Sequence, residues 1–367
     1  MASSKPIPSR RRHDIDNVRS FLVATTIAHH AAVAYGGTGP MPPATALFDK
    51  NSALLAPYIA INQAYGLGLY FWMSGRMSAQ SLSHSTSLDF IRSKLWRLGV
   101  PTVLWSVFLD PLSEIFHRPR GDLVSNLKAY VQAVRNVRGV QGPVWYTATL
   151  LIFDLTSLVL KRCFELFKSG RTKTIEFSGF AKCYALLCRW GWLAVAAGSF
   201  AVRTRFPPGR ALPVINLQPS YVLQYIYAYG LGHMAFHLGK RRMTGLFDRA
   251  SGRTLSVKQA FGLAVATVPI VLLPVILRSK KKNEVDEKKS DQDLAADGDE
   301  GGGLELGGWN WTAALYATWN ELAFTAIGPA LMANFERYHT EPARKMWSPR
   351  YSFAAFLLHS QERGSHG

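Results

Sequence analysis

Cysteine is scarce in this chain: only Cys163, Cys183 and Cys188 occur, and their spacing matches no metal-ligand pattern. One would stay unpaired under any disulfide scheme, so they read as reduced, structural thiols. Acid is scarce too, with 24 Asp and Glu against 42 Lys and Arg, a formal charge of +18. That sign raises nucleic acid as a partner, but the basic residues cluster between apolar segments, the pattern of cytoplasmic loops, and no nucleic-acid partner is expected. No cleavable leader is evident, because the first 17 residues are polar and basic and the first apolar run lacks a small-residue cleavage site. No self-similar halves are seen, which counts against a transporter built from inverted repeats.

Apolar material is abundant. Hydrophobic residues make up 48% and charged residues 18%, averages that a soluble multidomain enzyme shares with a membrane protein carrying long loops. The distribution decides. Apolar runs at about 18–35, 53–75, 95–112, 145–160, 180–202, 217–239, 261–277 and 309–335 alternate with basic or Gly/Pro-rich breaks. The pattern predicts an all-α, polytopic transmembrane helix bundle of about eight full spans plus a partial ninth. Residues 1–13 read as a basic cytosolic tail, 14–360 as one membrane domain, 278–308 within it as a disordered charged insertion, and 361–367 as a polar tail. With the amino terminus in the cytosol, loops 76–94, 161–182, 240–258 and 336–350 are cytosolic and each is basic. The loop 113–141 is basic on the opposite side, which a re-entrant or amphipathic piece would reconcile.

Chemistry concentrates at the front. Asp14-Ile15-Asp16-Asn17-Val18-Arg19 leads into an apolar helix that carries His29 and His30. Eleven helical steps, about 16 Å, separate Arg19 from His30 and place that imidazole near the bilayer midplane, where an ionisable group faces a protein interior or a wet cavity. His29 points about 100° away and reads as structural. Lys94 and Arg97 are three apart and share a helix face, with Arg92 and Arg76 near them; anchoring at the cytosolic interface is the competing explanation. Asp154 and Arg189 are intramembrane charges that need partners, and each is a candidate for the other. Gly66 and Gly68 allow close helix approach. His233 and His237 have a metal-compatible spacing, but no third ligand lies nearby and no metal is expected.

These residues also carry a resemblance. Asp16-Asn17-Val18-Arg19 with His30, the run Leu69-Tyr70-Phe71-Trp72-Met73-Ser74-Gly75, Lys94-Leu95-Trp96-Arg97 before Pro101, and Gly142-Pro143-Val144-Trp145-Tyr146 occur in the order found in the acyltransferase 3 family. Trp319-Asn320-Glu321 and Ser352-Phe353-Ala354-Ala355-Phe356-Leu357-Leu358-His359 resemble later family segments more loosely. The resemblance implies an integral membrane O-acyltransferase using acyl-CoA, with acetyl-CoA the leading donor, and a hydroxylated small metabolite or a carbohydrate as acceptor. It implies His30 as catalytic base, Arg19 as its electrostatic partner, and Lys94, Arg97 and Arg92 as holders of the donor phosphates. Glu321 is expected to orient an imidazole or bind a hydroxyl, or else to pair with Arg189. The family's late helix is expected to be cut short here, which leaves an inactive, truncated membrane scaffold as one alternative; a polytopic transporter, which also places ionisable residues at mid-membrane, is the other.

Overall fold

The computed structural model describes residues 12–36, 55–112, 123–135, 139–140, 142–168, 177–240, 242–248, 254–290 and 306–342. Among these residues there are nine helices and no strand. The helices are α1 (His13–Gly36), α2 (Leu55–His84), α3 (from Ser87), α4 (Leu123–Arg135), α5 (Trp145–Lys168), α6 (from Phe177), α7 (Pro219–His237), α8 (Val257–Ser290) and α9 (Trp311–Tyr338). The segment Ser352 to His359 lies outside the described residues, as do 1–11 and 291–305. The helix α8 runs on through the first part of the Lys- and Glu-rich tract.

Two helices contain wide turns with identifiable causes. In α3, Ser87–Lys94 passes into a π-turn at Leu95–Gly99, and the Val100 N–H bonds back five residues to the Leu95 carbonyl. Pro101 follows immediately; it has no N–H for the ordinary ladder, and the wide turn absorbs the break. A second π-turn spans Trp105–Leu109. In α6, Phe177–Leu186 meets a π-turn at Leu187–Gly191 before Trp192–Arg203. There the Tyr227 hydroxyl donates to the Leu187 carbonyl at 2.8 Å.

The central post is α2. On one side Leu69, Phe71 and Trp72 are fully buried, and Phe71 stacks on Tyr225 of α7 at 4.7 Å while meeting Tyr146 and Phe153 of α5 at 5.0 and 5.3 Å. The α2–α7 crossing is backbone against backbone. A Cβ at Gly75 would overlap the Tyr229 carbonyl, and one at Gly232 would overlap that of Trp72. Of the two glycines expected to do this, Gly68 faces the Phe324 ring and Gly66 faces open space. The close approach thus lies a full turn or more further along α2.

Helix α1 packs across α2 and against the end of α9. Phe21 meets Phe335 at 5.7 Å, and the Asn17 side-chain amide donates to the carbonyls of His339 at 2.7 Å and Glu341 at 2.9 Å. So α1 starts where α9 ends. Helices α2, α5 and α7 also end there, since Ser74 pairs with Tyr146, Lys161 with Leu82 and Gly75 with Tyr229 in parallel register. We call this the near end of the bundle.

Three helical stretches are long and apolar enough to cross a membrane by length and composition: Gly142–Leu166, Gly179–Arg203 and Val257–Pro274. They present Ile152, Leu160, Leu186, Trp190, Val265 and Ile270 outward, an apolar belt of the kind a lipid phase covers. The other helices interrupt their apolar runs with polar groups, as α1 does with His29, His30, Thr25 and Thr26. In the loop expected to hold a re-entrant or amphipathic piece, α4 is amphipathic and exposes Val124, Leu127 and Val131 along one face.

Candidate active site

The head of α1 is fixed before its chemistry begins. Arg12 pairs with Asp14, the Ser20 hydroxyl bonds the Asp16 carbonyl at 3.2 Å, and Asn17 holds the α9 terminus as above. Arg19 is half-buried and turns inward, within electrostatic reach of the Tyr70 and Tyr146 hydroxyls. Tyr146 shares a 2.8 Å hydrogen bond with Ser74, and Thr26 stands beside Tyr70. Eleven residues advance a helix by about 20° in phase, so Arg19, Thr26 and His30 line one face of α1, the face that looks at these tyrosines.

The neighbouring face of α1 borders a groove of about 690 Å³. Asn17, Phe21, Ala24, Thr25 and Ala28 form one wall, with Phe335 and His339 of α9 opposite. His29 follows Thr25 by one turn on this side. Its Nδ1 is enclosed without a hydrogen-bond partner, and its ring lies 5.7 Å from that of His30. Both imidazoles therefore sit at the inner end of features that start at the near end.

On α3 the three expected phosphate ligands part company. Lys94 turns into the protein, where its Nζ lies 2.7 Å from Asp154 Oδ2; the two side chains are 15% and 0% exposed. Asp154 Oδ1 accepts from the Tyr229 hydroxyl at 2.7 Å, and Ser157 donates to that hydroxyl at 3.2 Å. Arg97, inside the π-turn, and Arg92 are exposed. The wide turn explains the separation, because a π-turn rotates less per residue than the α-helix that the three-residue spacing assumed.

Asp154 is thus paired with Lys94 and not with Arg189. Arg189 is exposed and lies 5.6 Å from the Trp190 ring, as a side chain reaching for the membrane edge does. Glu321 does not meet Arg189 either. It sits fully buried beside Asn320, whose amide donates to it at 3.0 Å, and it is flanked by Gln224 and Arg203. Gln224 in turn donates to the Ala64 carbonyl at 3.0 Å. On α2, Tyr65 meets Thr25 of α1 while the Ala64 carbonyl faces α7, so α2 stands between Gln224, beside Glu321, and that part of α1.

Arg203 was the missed charge. It is fully buried, and its guanidinium lies 4.9 Å from the ring of Tyr221 and 4.8 Å from that of Tyr316. As the last residue of its helix, after the apolar Phe200-Ala201-Val202 and before a turn, it reads as an ordinary helix-end cation, and no sequence signal pointed to its burial. The loop 242–248 completes the near end by folding Met243 and Gly245 against α9. Burial there holds the Asp248 carboxyl above its usual range, opposed by hydrogen bonds from Thr254 and the Gly245 backbone.

A helical bundle with an outward apolar belt and buried imidazoles, cations and hydroxyls at one end has the form of a membrane enzyme handling a polar substrate. Residues 12–360 match a family described as an acyltransferase domain, acyltransferase 3, and the chain belongs to that family. It is an integral membrane acyltransferase. Neither the curated proteins nor the solved structures contain a match to it.

Proposed function

We propose that the chain transfers an acyl group, acetyl first among them, from acyl-CoA to a hydroxyl of a small metabolite or carbohydrate. The observation that carries this reading is the shared face of Arg19 and His30, turned toward the Tyr70, Ser74 and Tyr146 hydroxyls in a member of an acyltransferase family. About eight spans with the near end in the cytosol would deliver the donor to that end. The exposed Arg92 and Arg97 would meet its phosphates first, and Lys94, engaged by Asp154, would hold charge deeper in. The groove along α1 offers a path of about 16 Å, from Asn17 to Ala28, for the pantetheine arm.

In the chemical step His30, as a neutral imidazole, removes the proton from the acceptor hydroxyl. The oxygen attacks the thioester carbonyl, the C–S bond breaks, and the departing thiolate takes the proton back from the imidazolium. Arg19 supports the charge that develops on this face. Glu321 stays outside this step, because its neighbours lie across α2. A second base deserves a place beside His30: His29, whose enclosed Nδ1 has no hydrogen-bond partner and which follows the groove residue Ala28 in the chain.

The test is ester formation from labelled acetyl-CoA by the full chain in microsomes, with a panel of hydroxyl acceptors. His30→Ala is expected to lower transfer about 10²- to 10⁴-fold while donor binding persists. A comparable loss in His29→Ala with His30→Ala active would move the base to His29. Unchanged transfer in both variants would remove imidazole from the mechanism, and no transfer by the native chain would count against an active enzyme.

A further inference from the structure

Beyond the α3 cations, a second set of basic groups converges at the near end. Tyr229, His233 and His237 recur every four residues on α7 and form one stripe, with Tyr229 and His233 rings 6.5 Å apart and His233 and His237 rings 5.2 Å apart. Asp154, Ser157 and Lys161 form the matching stripe on α5. Tyr229 bonds Asp154, His233 has Asp154 and His237 as electrostatic neighbours, and His237 has Lys161. Lys161 is fixed by the Leu82 carbonyl at 3.0 Å and lies 3.9 Å from Glu165 on its outer side. From α2, Arg76 reaches Phe236 at 6.0 Å, and its backbone borders Gly232.

The sign of this neighbourhood decides what it binds. Among the described residues, Arg76, Lys94 and Lys161 are the cations beside the two imidazoles, and the buried carboxylate that faces them, Asp154, is already engaged by Lys94 and Tyr229. A divalent cation would be repelled by that set, although a His pair four apart is a familiar metal spacing. An anion would be drawn to it. His233 Nε2 is enclosed with no hydrogen-bond partner among the described residues. We propose that Arg76, Lys161, His233 and His237 form an anion site for a phosphate ester, and that the ester is a phosphate of the coenzyme A donor. The assignment to the donor rests on the acyl-transfer reading; the anion site does not. It would separate two tasks, with Arg92 and Arg97 capturing the donor at the surface and this site fixing one phosphate between α2, α5 and α7.

The experiment uses the full chain in nanodiscs of zwitterionic lipid and measures binding of adenosine 3′,5′-bisphosphate and of inorganic pyrophosphate by calorimetry. The double variant Arg76→Gln/His237→Gln should weaken both at least about tenfold, a loss of charge-assisted bonds. The cationic variant Arg76→Lys/His237→Lys should recover most of that loss, which a merely structural role would not allow. Undiminished binding in the Gln variant overturns the site while leaving acyl transfer standing. Weakened pyrophosphate binding in a chain that neither binds the nucleotide nor transfers acyl groups keeps the site and removes the donor. Should phosphatidate-containing nanodiscs abolish pyrophosphate binding while the nucleotide never binds, the ester is a lipid headgroup. A native chain that binds none of these phosphates overturns the proposal.

Discussion

Two buried charge clusters in this molecule solve the same problem differently. Near the start of α1, Lys94 and Asp154 are in direct contact, and the Tyr229 hydroxyl, itself an acceptor from Ser157, satisfies the second carboxylate oxygen. Across α2, Arg203 lies between two tyrosine rings with Nη1 and Nη2 unbonded, and Glu321 Oε2, Asn320 Oδ1, Gln224 Oε1 and Ser220 Oγ are also enclosed without partners. The first cluster is closed electrostatically but adjoins exposed cations and histidines. The second is shut away from them. The difference teaches that burial of a charge alone does not single out a site; under the proposed function, continuity with the near end does.

Replacing Asp154 with Ala should have the largest effect on stability, because it leaves Lys94 charged and unpaired inside the bundle; about 3–5 kcal/mol is expected, read as a lower midpoint in thermal unfolding of the detergent-solubilised chain. A loss under 1 kcal/mol would mean that Lys94 simply swings out to water. Gly75→Ala comes next, at about 1–3 kcal/mol, since its methyl must separate α2 from α7 at a backbone contact. Gly66→Ala, facing open space, is its control and should change nothing.

The enclosed cluster should behave in the opposite way. Arg203→Met with Glu321→Leu removes two charges together, and by the general behaviour of buried ionic groups the pair is expected to be neutral or stabilising, while either change alone destabilises. A strong loss of transfer without loss of stability in the double variant would make the two clusters functionally equal and break the comparison. The smallest effect is expected at Asp248. Burial raises its native pKa, so its ionised form costs stability above the ordinary carboxylate range and the cost disappears once acid protonates it in both states. Asp248→Asn should therefore raise the unfolding midpoint slightly at neutral pH and leave it unchanged below about pH 4. A gain that persists at low pH would assign the effect to something other than the carboxylate.

Much of this arrangement was legible one residue at a time. The apolar runs located the helices, and the spacing of Arg19 and His30 placed the two on one face of α1. Partnership was not legible. Lys94 and Asp154 are 60 positions apart, and nothing in either neighbourhood favours that pair over Asp154 with Arg189. The common face of Lys94 and Arg97 failed for a local reason, since Pro101 forces a wide turn whose effect on phase no fixed helical period contains. The partner of Glu321 was hidden by Arg203, which was read as a boundary residue. Gly75 and Gly232 carry the closest crossing, yet neither stands out from the other glycines of α2 and α7 until the two helices are seen together.

The bond from Asn17 to the carbonyls of His339 and Glu341 joins positions 322 and 324 residues apart. During synthesis the first helix enters the membrane long before its clasp exists. Until α9 is made, the amide of Asn17 lacks these two acceptors, so the first helix and the last described one can be joined only when α9 arrives. Closure of the groove between α1 and α9 is therefore a late event in the life of the chain, and an arrested product lacking α9 would hold its histidines without the wall that frames them.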